Sequence, residues 1–127
     1  MNNLMFGAFG EKCAVKFLKK KHYKILEKNY KTKLGEIDII ARDKEYIVFI
    51  EVKSRDADPL LSGVYAVDQK KRRHIMRTAA FYLSQNRCDL QPRFDILEIE
   101  IDRKNQKAVS YNHIENAFMQ EGDYAPF

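Results

Sequence analysis

Asp38, Glu51 and Lys53 are the side chains whose types and spacing can do chemistry. Two apolar runs, residues 37–41 and 47–52, flank the charged tetrapeptide Asp43-Lys44-Glu45-Tyr46. This is the pattern of a β-hairpin with a loop of about four residues. Strand side chains alternate between faces, so Glu36, Asp38 and Ile40 share one face of the first strand, and Ile47, Phe49, Glu51 and Lys53 share one face of the second. With Asp43–Tyr46 as the loop, the simplest register sets Asp38 opposite Glu51 and Glu36 opposite Lys53. Facing carboxylates are destabilising across a strand pair. At about 5 Å and an effective dielectric near 20, the repulsion is roughly 3 kcal/mol. A divalent cation between them turns repulsion into attraction, and hard oxygen ligands suit Mg²⁺ or Mn²⁺. Lys53 then reaches a phosphate oxygen or orients a water. An Asp followed by Glu-x-Lys on the next strand is thus the arrangement for metal-assisted phosphodiester hydrolysis.

The competing reading is a solvated face of an antiparallel hairpin. The second strand argues against it, because Ile47, Val48, Phe49, Ile50 and Val52 make it apolar on both faces, as a central strand is. A charged trio at the end of a buried strand is costly to keep without a use.

The elements that must position these groups follow from periodicity. Residues from about 6 to 21 read as an amphipathic helix, with Glu11 on the stripe of Ala14, Val15 and Leu18. Glu11 either complements the helix dipole in an early turn or points inward to the same metal. Gly7 and Gly10 would let this helix start pack closely on the sheet or on DNA. Residues 23–30 form a short strand before the hairpin. Residues 55–64, with Pro59 and Gly63, read as a loop that could gate a substrate. A second helix runs from Asp68, its N-cap, to about Asn86, with Ile75, Met76, Ala79, Tyr82 and Leu83 as core stripe. Its first half carries Lys70-Lys71-Arg72-Arg73 and Arg77, the wrong sign for a helix N-terminus. Lys71 lies beside the buried stripe, toward the charged end of the hairpin. Lys70, Arg73 and Arg77 lie on the outer face, where they grip phosphate backbone or simply meet solvent. A strand over 94–101 and a short edge strand over about 108–111 follow. The tail from about 113 is expected to be loose, with one turn of helix over 114–119. The helix between the third and fourth strands allows a right-handed parallel crossover. The expected fold is therefore α/β, one domain over 1–127 with a mixed sheet of about five strands and flanking helices.

Composition bounds the function. A net charge of +5 is permissive for nucleic acid or another anionic partner. No apolar stretch approaches the roughly 20 residues of a membrane span, and Leu4-Met5-Phe6 lacks the basic and apolar regions of a secretory signal. Cys13 and Cys88 form no C-x-x-C, and His22, His74 and His113 stand at no zinc spacing. Two reduced, buried thiols in a cytoplasmic protein are expected.

Several motifs together are more specific than Glu-x-Lys alone: Gly7-x-x-Gly10-Glu11-x-x-Ala14 with Leu18, the segments 35–41 and 49–55, Lys71 before Ile75 with Ala79 and Tyr82-Leu83, and Arg93-Phe94-Asp95. On these the chain resembles the YraN-type family of small bacterial predicted endonucleases. That family is distantly similar to archaeal Holliday-junction resolvases and built on the restriction-endonuclease-like fold. The resemblance implies that Glu11, Asp38 and Glu51 hold one or two divalent metals, that Lys53 assists the attacking water, and that Lys71 lines the site. It further implies a DNA substrate, branched DNA in recombination or repair being the type relatives act on, a 5′-phosphate product, and a homodimer. Arg55 joins Lys70, Lys71, Arg73 and Arg77 as an expected nucleic-acid contact, although Asp56 and Asp58 make the loop after it less basic. The alternative from another class is a nucleic-acid-binding or adaptor protein that keeps this fold without cleaving.

Overall fold

The computed structural model describes residues 1–58 and 69–118. The elements follow in the order α1 (Asn3–Lys20), β1 (Lys24–Thr32), β2 (Gly35–Asp43), β3 (Tyr46–Asp56), α2 (Gln69–Gln85), β4 (Gln91–Asp102) and β5 (Lys107–Phe118). The five strands form one sheet in sequence order, with β3 in the middle. β3 pairs with β4 in parallel and every other neighbour is antiparallel. The mixed sheet with its α2 crossover is the expected α/β architecture, consistent with a restriction-endonuclease-like fold.

β3 is central because its side chains are apolar on both faces, which lets each face bury against a helix. On one face Val48 and Ile50 pack with Ile39, Leu97, Ile99 and Ile101 against Phe6, Ala14 and Leu18 of α1. On the other, Ile47 and Phe49 pack with Ile40 and Phe94 against Ile75, Ala79 and Tyr82 of α2. Asn2 caps α1, its Oδ1 accepting from the Met5 N–H at 2.8 Å, and Lys19 and Lys20 complement the dipole in the last turn. Gly10 is where α1 meets the sheet: a Cβ there would overlap Ser54 Oγ and stand 3.0 Å from Ser54 Cβ. Gly7 has no such role, because a Cβ there meets nothing within 4 Å.

Several boundaries differ from the sequence reading. The β2–β3 hairpin is tighter than expected, since Asp43 already pairs with Tyr46 and only Lys44-Glu45 turn, with Lys44 at φ 55. The register is unchanged, because the shorter loop is centred on the same bond. α1 begins three residues early, and Pro92 lies inside β4, opposite Ile47 at the start of the parallel ladder. The edge strand is long: β5 runs to Phe118, so residues 114–118 are strand rather than a helical turn and the chain is ordered past His113. The polar residues that disguised it are held by β4. The Asn112 amide donates to Glu98 Oε1 at 2.9 Å, and the Asn116 N–H donates to Asp95 Oδ1 at 2.9 Å. Both cysteines are free thiols, but neither is buried: Cys13 is half-buried and Cys88 exposed. The Asp68 cap, Met119 and most of the 55–64 loop lie outside the described residues. Among those residues no helix is long and apolar enough to cross a membrane.

Candidate active site at the β2–β3 fork

The β2–β3 ladder runs from Asp43↔Tyr46 to Ile39↔Ile50 and stops there. One step further along the same register are Asp38 and Glu51. Asp38 Oδ2 instead accepts from the Val52 N–H at 2.8 Å, so a carboxylate takes the place of a strand carbonyl. Beyond it β2 and β3 open into a fork, and a cleft of about 670 Å³ fills it. Glu36 and Asp38 line one arm, Glu51, Val52, Lys53 and Ser54 the other, Glu11 comes from α1 and Lys71 from α2. The structure thus brings together Glu11, Asp38, Glu51, Lys53 and Lys71. The expected opposition of Glu36 and Lys53 falls past the end of the ladder, and Glu36 pairs with Lys31 of β1 at 3.6 Å.

Glu51 is the pivot. Its side chain is 7 % exposed, and Oε1 stands 2.6 Å from Lys71 Nζ and 3.5 Å from Lys53 Nζ. The position of Lys71 explains the basic start of α2: one of these charges reaches a buried carboxylate, which outweighs the dipole penalty. Although burial works against its charge, the Glu51 carboxylate holds Lys71 above the usual lysine range. Lys53 is pushed the other way, by burial and by the neighbouring Lys71 amine, with Glu51 only partly opposing. Burial, with the Glu51 charge next and Glu11 adding to it, pushes the Asp38 carboxyl up to about 7, against the Val52 N–H and Lys71. Burial beside a second carboxylate therefore makes the ionised form of Asp38 costly.

Among the described residues, five carboxylates and four basic side chains line the cleft: Glu11, Glu36, Asp38, Glu51 and Asp56 against Lys31, Lys53, Lys71 and Arg103. That leaves one surplus negative charge facing any polyanion that enters. Among the described residues no group of three His, Cys, Asp or Glu side chains is set to hold a metal ion as they stand. The donor chemistry nevertheless fits a hard divalent cation: Asp38 and Glu51 are acids facing each other one step beyond the ladder, and the raised proton affinity of Asp38 is what a cation relieves.

Of the expected nucleic-acid contacts, Lys70, Arg73 and Arg77 are exposed on α2 and line none of the cleft. Arg55, at the end of β3, is half-buried and also outside it. Sequence reasoning missed Arg103 and Asp56, which line the cleft from the β4–β5 turn and the last residue of β3. Nothing in their local sequence marks them, since the β3–β4 pairing brings them together. It also missed a buried cluster on the α1 face of β4. There Asp95 accepts from Arg93 and from the Asn116 N–H and sits 2.7 Å from His113 Nε2, while Arg93 donates to the Tyr23 hydroxyl at 2.6 Å. The Arg93-Phe94-Asp95 motif was the only signal for it.

The model of a family described as "Uncharacterised protein family UPF0102" matches residues 10–99, which contain Glu11, Asp38, Glu51, Lys53 and Lys71. A UPF0102 protein of Caldanaerobacter subterraneus subsp. tengcongensis is 45% identical over 119 residues, covering 93% of this chain and 98% of its own. One from Clostridioides difficile is also 45% identical over 119 residues, covering 93% and 100%. One from Thermotoga petrophila is 52% identical over 91 residues, covering 70% and 81%. On this match the chain belongs to the UPF0102, or YraN, family.

Proposed function

We propose that the fork is the active site of a metal-dependent phosphodiesterase acting on DNA. The observation that carries this is the Asp38–Glu51 pair at the end of the β2–β3 ladder, with Lys53 and Lys71 on Glu51. Asp38 and Glu51, with Glu11 beside them, would hold Mg²⁺ or Mn²⁺. Such an ion supplies Lewis-acid stabilisation of the phosphoryl oxygens and lowers the pKa of a water. The chain's own groups do the rest. Lys53 Nζ, already eased toward its neutral form, would take a proton from the attacking water. Lys71 keeps its charge and neutralises Glu51, so the phosphate meets fewer carboxylate charges. The exposed Lys70, Arg73 and Arg77 offer a sequence-independent grip on the backbone. Structured or branched DNA is the substrate class carried over from the resemblance, and a homodimer its expected state.

Nuclease assays on branched, nicked and single-stranded DNA with Mg²⁺ or Mn²⁺ test this. Cleavage by the wild type, reduced at least a hundredfold in Glu51→Gln, is expected. No cleavage by pure protein, or equal cleavage by Glu51→Gln, refutes it. One observation favours the second reading, a binding or adaptor protein: two lysines already neutralise Glu51. That reading expects salt-dependent DNA binding that is the same with and without divalent metal.

A further inference from the structure

Arg103 sits in the β4–β5 turn, where it lines the cleft, and three contacts fix its guanidinium. Its Cζ lies over the Phe6 ring of α1, 4.1 Å from the centroid. Nε stands 3.3 Å from Asp56 Oδ2, and Nη1 reaches the Met1 carbonyl at 3.5 Å. The ion pair is poorly made. Asp56 Oδ2 and Arg103 Nε are both buried, yet neither has a hydrogen-bond partner among the described residues. With the Arg103 side chain 33% exposed and the contact outside hydrogen-bond geometry, the pair stabilises the fold little. What the contacts do achieve is orientation. Stacking on Phe6 and the charge of Asp56 hold a planar, permanently charged fork in a cleft that also holds Asp38 and Glu51. Lys53 and Lys71 stand on Glu51 instead, so the two basic groups nearest the acids are separate from this one.

We infer that Arg103, oriented by Asp56 and Phe6, forms a subsite for a backbone phosphate of the nucleic acid next to the one at Asp38 and Glu51. The guanidinium fork matches two phosphate oxygens, a geometry that an ammonium group does not reproduce. Asp56 is a positioning residue here, and its carboxylate is what a bound phosphate competes with for the guanidinium. This inference rests on the nuclease reading for the identity of the ligand, but it makes a separate claim about binding.

Fluorescence anisotropy of a labelled four-way DNA junction, titrated with protein in Ca²⁺ at several salt concentrations, tests it. Arg103→Ala is expected to weaken binding about tenfold and lower the salt slope by about one. Arg103→Lys restores the slope but not the affinity. Lys104→Ala, in the same turn but outside the cleft, behaves as wild type. Should Arg103→Ala lose the fold by its melting curve, Arg103→Gln carries the same reading. Wild-type affinity and slope in Arg103→Ala, alongside normal cleavage, overturn the subsite alone. Arg103-dependent binding without any wild-type cleavage refutes the nuclease reading and leaves the subsite standing.

Discussion

Replacing Asp38 by Asn should stabilise the metal-free protein at pH 8, although it removes a proposed metal ligand. The fold pushes the Asp38 carboxyl up to about 7, from an ordinary value of 3.8. Because the folded value is the higher one, the folded state holds its proton longer than the unfolded chain does. The Asp38 contribution to stability is therefore most favourable below pH 4, falls as pH rises from about 4 to 7, and levels off above. Roughly three pH units at 1.36 kcal/mol each give a penalty near 4 kcal/mol at pH 8. Relaxation of a pair that borders an open cleft brings this to about 2 kcal/mol. Asn carries no charge and its Oδ1 still accepts from the Val52 N–H, so the backbone contact survives. For a chain of this size the gain raises Tm by roughly 5–10 °C. Calorimetric melts in EDTA at pH 8 and pH 4 measure it, and most of the difference should vanish at the lower pH. A variant less stable than wild type at pH 8, or an equal gap at both pH values, refutes the idea that Asp38 is held ionised against repulsion.

Gly10→Ala forces a Cβ into Ser54 at the α1–β3 contact and should destabilise by about 1–3 kcal/mol, read from urea midpoints, whereas Gly7→Ala should not. Asp95→Ala removes the partner of Arg93, His113 and the Asn116 N–H and should cost about 3–5 kcal/mol in the same assay. Burial opposes its charge, but His113, Arg93 and Asn116 outweigh it and hold the Asp95 carboxyl below the usual carboxylate range. Its contribution is thus present above that range and lost as pH falls through the lowered value. Acid unfolding should accordingly begin at higher pH in Asp95→Asn than in wild type.

The hairpin and the meeting of acids and lysines at its end were legible because both depend on local pattern. Ile47–Ile50 announce a strand buried on both faces, and period two sets Asp38 on the line of Glu51. The ladder's early end was not legible, because it depends on Asp38 capturing the Val52 N–H across the strands. Nor was the length of β5: Asn112, His113 and Asn116 look like loop residues until Glu98 and Asp95 accept them. Arg103 was hidden for the same reason, its partners Asp56 and Phe6 being far away in sequence. Lys71 was the exception, betrayed by a charge placed where the helix dipole disfavours it.

Calorimetric titration of Mn²⁺ into the protein tests the proposed cation centre most directly. The wild type should bind, releasing most of a proton at pH 6, where Asp38 is still protonated, and almost none at pH 8. Asp38→Asn and Glu51→Gln should lose that binding. No binding at millimolar Mn²⁺, or equal binding by both variants, contradicts a cation centre at the β2–β3 fork.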